Sequence, residues 1–134
     1  MNGLFYRCSS LTKINLSSFG TQNVIGMTSM FYGCKSLKEL NLNNFNTDNA
    51  TNMELIFYGC SSLTYINLSS FNTQNVTSMR YIFYRCSSLK ELNLNNFNTN
   101  NVINMHEMFS GCSNNLIMKI KTQYNNIKEE AFKN

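Results

Sequence analysis

Apolar side chains return along this chain with a period of 26 residues, and the polar positions between them keep the same beat. Phe5, Phe31, Phe57, Phe83 and Phe109 each stand three residues ahead of Cys8, Cys34, Cys60, Cys86 and Cys112. Further columns follow: Leu11, Leu37, Leu63 and Leu89; Ile14, Leu40, Ile66 and Leu92; Leu16, Leu42, Leu68 and Leu94; Phe19, Phe45, Phe71 and Phe97. Val24, Ala50, Val76 and Val102 precede Met27, Met53, Met79 and Met105. A fixed period of this size marks a stacked array, in which each unit buries its apolar face against its neighbours because it cannot bury it alone.

Within a unit the pattern predicts two kinds of element. LTYINLS alternates, with Ile66 and Leu68 on one side and Tyr65, Asn67 and Ser69 on the other, as a short half-buried strand does. Strands that recur in the same direction in every unit must pair in parallel. NVTSMRYIFYRC spaces Val76, Met79, Ile82 and Phe83 as one or two turns of α- or 3₁₀-helix, with Thr77 or Ser78 as cap. A longer copy lies over the first: LTKINLSSFGTQNV at 11–24 returns as LTYINLSSFNTQNV at 63–76, so the array grew by duplication.

The strings LNLNNFNTDNATNMELIFYGCSSL and INLSSFNTQNVTSMRYIFYRCSSL resemble the BspA-type leucine-rich repeat, the bacterial surface protein repeat with the pattern LxLSxFxTxNVxxMxxMFxxCxxL. The resemblance spans residues 1 to about 120 and matches the MF-x-x-C portion five times, with Met30 and Met108 before the Phe in two units and Leu4, Ile56 and Ile82 in the others. It implies an α/β fold: a right-handed leucine-rich-repeat solenoid with a parallel β-sheet on one face and short helical or 3₁₀ segments on the other. It also implies a surface or secreted binding module, of a kind found in bacteria and with similar arrays in protists. One departure concerns the turn after the strand, where Phe19, Phe45, Phe71 and Phe97 replace the usual asparagine. An aromatic stack is therefore expected there in place of an amide ladder.

The period divides the chain into a solenoid over residues 1–120, with about four full coils, and a C-terminal cap over 121–134. Met118 and Ile120 are expected as a fifth strand, although Leu116 falls one position late. In the cap, Tyr124, Ile127 and Ala131 make a helical stripe, with Asn126 and Glu129 spaced as a capping box. The first coil shows no cap of its own, which makes it the expected contact of a homodimer.

Composition narrows the functional classes. Only 13% of residues are charged, while asparagine reaches 24 of 134 and alanine occurs twice, a profile against a helical bundle. Aromatics at 13% argue against disorder. The net charge of +4 comes from scattered Lys and Arg without a basic run, so no nucleic-acid partner is expected. No apolar stretch approaches the roughly 18 residues of a membrane span, and residues 1–20 lack the features of a signal peptide.

Candidate chemistry is sparse. The five cysteines fit a buried reduced ladder, since side chains one coil apart stand about 5 Å from each other, too far for the Cβ atoms of a disulfide. There is no CxxC pair, and His106 is the sole histidine, so neither a zinc site nor a nucleophile–base pair is expected, and no cofactor or metal. Gly33, Gly59 and Gly111 share a column with Arg7 and Arg85 and read as turn residues. Tyr6, Tyr32, Tyr58 and Tyr84 form a column expected to pack between coils.

The outward strand positions remain as the candidate contact face: Lys13, Asn15, Glu39, Asn41, Tyr65, Asn67, Glu91 and Asn93. Amides and hydroxyls around one exposed tyrosine suit a protein or glycan partner. The expected function is a non-catalytic binding module at the cell surface or in a secreted protein. A structural spacer or self-assembling scaffold is the alternative, and an appendage to a catalytic domain outside these residues is the third reading.

Overall fold

The computed structural model describes residues 1–133. Each repeat unit lies on the next in register, and two faces of the stack carry backbone bonds between units. On the first face, β1 (Tyr65–Asn67) pairs in parallel with β2 (Glu91–Asn93), Tyr65 opposite Glu91 and Asn67 opposite Asn93. Lys13 and Glu39, in the same column of earlier units, form a parallel bridge. The strands are short because their last asparagine turns the chain. Asn15, Asn41, Asn67 and Asn93 each accept, through Oδ1, the backbone N–H two residues on, an Asx turn that ends the extended run. The expected sheet is thus two strands and a bridge; among the described residues no ladder pairing joins the segment around Glu39 to β1.

The second face differs from the expected short helices. In each unit two residues sit in the left-handed region, for example Ser29 (φ 58°) and Gly33 (φ 71°), then Leu55 (60°) and Gly59 (69°), then Tyr81 (58°) and Arg85 (56°). Between them, alternate N–H groups point along the stack. Met27, Ser29, Phe31 and Gly33 donate to the carbonyls of Asn52, Glu54, Ile56 and Tyr58, and the next two units repeat the set. The intervening N–H groups close tight turns, Met30 on Met27 and Tyr32 on Ser29. With half its donors sent to the next unit, this segment has none left for an i→i−4 ladder, so the helical spacing of its apolar residues builds a ladder of turns. Parallel bridges Gly26–Asn52–Ser78–Asn104 run along its edge.

The core lies between the faces. Phe31, Phe57, Phe83 and Phe109 are fully buried and, with Phe5, stack at centroid distances of 5.4 to 5.8 Å. Of the four rings expected to stack in the turn after the strand, Phe45 and Phe71 do so, at 6.3 Å, while Phe19 lies tilted against Phe5. An amide ladder is present there as well, contrary to expectation: Asn44 and Asn96 donate from Nδ2 to the carbonyls of Ser17 and Ser69 one unit earlier. Thr21, Thr47, Thr73 and Thr99 form a buried polar column; the Thr73 hydroxyl donates to the Asn98 carbonyl at 2.8 Å and accepts the Asn98 N–H at 2.8 Å.

At the C-terminal end a helix lies across the expected boundary between the solenoid (1–120) and the cap (121–134). The expected fifth strand with Met118 and Ile120 is replaced by α1 (Asn114–Gln123), whose N-cap Ser113 accepts the Leu116 N–H. Leu116 and Ile120, four apart, are buried while Met118 is 68% exposed, a helical and not an alternating division. A 3₁₀ turn follows at Glu129–Phe132. Its N-cap Lys128 makes no side-chain cap bond, so the expected capping box does not form. Asn126 instead donates to the Phe97 carbonyl at 2.8 Å, and Thr99 donates to the Asn126 carbonyl at 2.7 Å. The end of the chain stands in for a next unit: Glu107 and Phe109 donate to Glu130 and Ala131 carbonyls, and Phe132 extends the phenylalanine stack at 5.3 Å.

Candidate functional site

The residues singled out on the strand face fall into three groups. Lys13 and Glu39 pair with each other at 3.0 Å in solvent, across adjacent units. Asn15, Asn41, Asn67 and Asn93 each accept one Asx-turn bond at the carbonyl oxygen, which leaves the amino group and one lone pair for a partner, and the amino group of Asn67 lies 3.4 Å from Asn43 Oδ1. Tyr65 and Glu91 are exposed side by side on β1 and β2, Tyr65 to 50%. The burial of Ile66, Leu68, Leu92 and Leu94 beneath them holds this part of the face rigid.

The structure adds residues that the repeat pattern did not indicate. α1 stands beside β2 and, with it, forms a cleft of about 450 Å³ in which Tyr65, Glu91 and Asn93 face Lys119, Gln123 and Tyr124. The Tyr124 hydroxyl accepts the Leu94 N–H at 3.1 Å and lies 3.3 Å from Asn95 Oδ1, which fixes the cleft wall. The sequence signal for this wall was the late Leu116 preceded by Ser113, a change of period from two to four and not a slipped strand.

Four of the five thiols share one local geometry. Each thiol of Cys34, Cys60, Cys86 and Cys112 points at the carbonyl of the phenylalanine 29 residues earlier, at 3.1 to 3.2 Å. Burial pushes Cys34 up to about 11 and Cys112 to about 12, and raises Cys60 and Cys86 as well. Cys8 is exposed and Cys112 only half-buried, so the expected buried ladder of five keeps Cys34, Cys60 and Cys86. His106 Nε2 meets Glu107 Oε1 at 2.8 Å on the turn face. Among the described residues no three His, Cys, Asp or Glu side chains gather as metal ligands, and no helix is long and apolar enough to cross a membrane.

Comparison with known proteins places the architecture. Residues 1–122 match the family described as "Mycoplasma protein of unknown function, DUF285". No curated protein matches the chain. The crystal structure of a leucine-rich cell surface protein from Faecalibacterium prausnitzii is similar in fold, with a TM-score of 0.57 and 20% identity over 83% of this chain and 27% of that one. The chain thus spans about a quarter of the length of that structure.

Proposed function

The chain belongs to the DUF285 family, with repeats of the BspA leucine-rich type, and from that premise we propose that it is a non-catalytic binding module of a surface or secreted protein. We infer further that the stack is a right-handed solenoid, because a crossover between parallel strands of one sheet is right-handed in nearly every case. The partner is a protein or glycan taken on the strand face. The observation that carries this reading is the cleft between β1, β2 and α1: an exposed tyrosine beside a carboxylate, amides, a lysine and a second tyrosine, on a rigid base. Exposed tyrosines in a polar setting are favoured anchors at protein contacts. The surface location of the F. prausnitzii protein supports the assignment of compartment.

The test is capture on an array of surface proteins and glycans by the parent and by a Tyr65→Ala, Glu91→Gln double variant. The variant is expected to lose the parent's ligands by about tenfold or more, about 1.4 kcal/mol or more, with its urea midpoint unchanged. A parent that captures nothing, or a variant that retains everything, rejects the reading.

One observation favours a second reading, a spacer or scaffold that self-associates. In this chain Leu4 is 47% exposed and Tyr6 49%, with Phe5, Leu11 and Ile14 only half-buried behind them. A homodimer through this first coil covers that rim. Light scattering over a dilution series decides it: a mass above 15.4 kDa that falls on dilution is expected, and a constant 15.4 kDa excludes it.

A further inference from the structure

Beside the turn ladder, on a different side from the strand-face cleft, runs a groove of about 930 Å³. Tyr32 and Tyr58 form one bank. They belong to a column in which Tyr6, Tyr32, Tyr58 and Tyr84 stack at 4.7, 4.5 and 4.7 Å with planes within 16° of parallel. Neighbouring rings cover one another's faces, so the column offers ring edges and phenol hydroxyls to a ligand. Gly33 and Gly59 make the floor; a Cβ at Gly59 would meet nothing nearer than the Gly33 Cα at 3.9 Å. Ser9, Lys35 and Ser61 line the other bank.

Arg7 and Arg85 stand toward the two ends, each against the tyrosine before it, at 5.4 and 5.3 Å from the ring centroids. Three unit steps separate them, about 14 Å at the usual spacing between strands. No carboxylate lines the groove among the described residues, and there Arg7, Lys35 and Arg85 have no ion-pair partner.

We propose that this groove binds an anionic polysaccharide, carboxylated or sulfated, laid along the stack. Three cations without an acid select an anion. Rows of phenol and serine hydroxyls match the hydrogen-bonding groups of sugars. The repeat of 4.5 to 4.7 Å between rings is close to the advance of one pyranose along its chain. An extended peptide advances about 3.3 Å per residue and falls out of step with it. Bases of a nucleic acid bind by stacking on open aromatic faces, and those faces are already occupied within the column.

The test is calorimetric titration of the full chain with four probes: a heparin hexasaccharide, an oligogalacturonate hexasaccharide, neutral cellohexaose and hexaglutamate. Saturable binding of at least one charged hexasaccharide is expected, at least about tenfold tighter than cellohexaose or hexaglutamate. Binding of the oligogalacturonate shows that carboxylate suffices, and binding of heparin alone, which carries both groups, shows that sulfate is required. An Arg7→Gln, Arg85→Gln variant and a Gly59→Glu variant should each weaken binding by about tenfold or more. A Lys38→Gln, Lys133→Gln variant removes the same charge elsewhere and should bind as the parent does. Thermal unfolding checks each variant, and the arginine pair alone suffices if Gly59→Glu does not fold. Absence of binding by both charged hexasaccharides overturns the proposal. Hexaglutamate binding as tightly reassigns the groove to acidic proteins, and equal loss in both charge variants reduces it to a general effect of net charge.

Discussion

At Cys34, Cys60, Cys86 and Cys112 the side chain acts as a small apolar filler with one hydrogen bond to spend, and the carbonyl of a phenylalanine in the preceding unit receives it. Two outcomes follow from that geometry. Thiol titration without denaturant should find Cys8 fast, the half-buried Cys112 slower, and Cys34, Cys60 and Cys86 reactive only on unfolding; three or more fast thiols would contradict the burial. Stability should also fall in alkali. Burial raises the folded pKa of these thiols above the ordinary 9.0, to about 11 at Cys34 and about 12 at Cys112. Below pH 9 both states keep the proton; above it the unfolded chain ionises first, binds fewer protons, and is favoured as pH rises toward the folded values. The urea midpoint is therefore expected to hold to about pH 8.5 and to decline above pH 9. A Cys60→Ser, Cys86→Ser variant should begin lower, because a polar hydroxyl replaces the thiol, and decline less steeply.

The element that distinguishes this stack is the turn ladder, where two left-handed residues per unit aim alternate N–H groups at the next unit. Side chains larger than glycine occupy several of these positions, including Leu55, Tyr81 and Arg85, each at a conformational cost of about 1–2 kcal/mol that the inter-unit bonds offset. Gly33 has φ 71°, and a Cβ there would press on Arg7 Cγ at 3.3 Å. Gly33→Ala should cost about 1–2 kcal/mol. Gly20→Ala serves as the control. Gly20 lies outside the left-handed region and its Cβ would meet only the movable end of Gln22, so a change within about 0.5 kcal/mol is expected. Equal urea midpoints for the two variants would show that the ladder tolerates strain without loss.

In the whole molecule the ends decide cooperativity. Each unit is stabilised by contact with its neighbours, so the last one depends on the cap. α1 covers Leu94 through the Tyr124 hydroxyl, Lys128 Nζ donates to the Val102 carbonyl at 2.6 Å, and Phe132 closes the phenylalanine stack. Truncation after Gly111 should leave the final unit's carbonyls and rings open. The expected result is a broader unfolding transition with faster hydrogen exchange in residues 88–111 than in 36–60. Uniform protection along the truncated chain would mean that the cap is dispensable.

The sequence by itself determined the unit length, the buried columns and the direction of stacking, because a 26-residue recurrence of Phe, Leu, Met and Cys leaves one register in which every apolar side chain meets its own copy. It also marked the outward face, since alternation around Ile66 and Leu68 divides inside from outside wherever the backbone is extended. The tertiary structure decided what the backbone does between those columns. Spacing by three and four is common to a helix and to a run of tight turns, and the choice rests on whether N–H groups find carbonyls within the segment or in the next unit, a contact between residues 25 apart. The same holds for the asparagines, whose oxygens were free to meet a partner or to close an Asx turn until the chain two residues on was placed. The arginine-ended tyrosine groove likewise came into being only when units were laid side by side, since Arg7 and Arg85 are 78 residues apart in the chain and three steps apart in the stack.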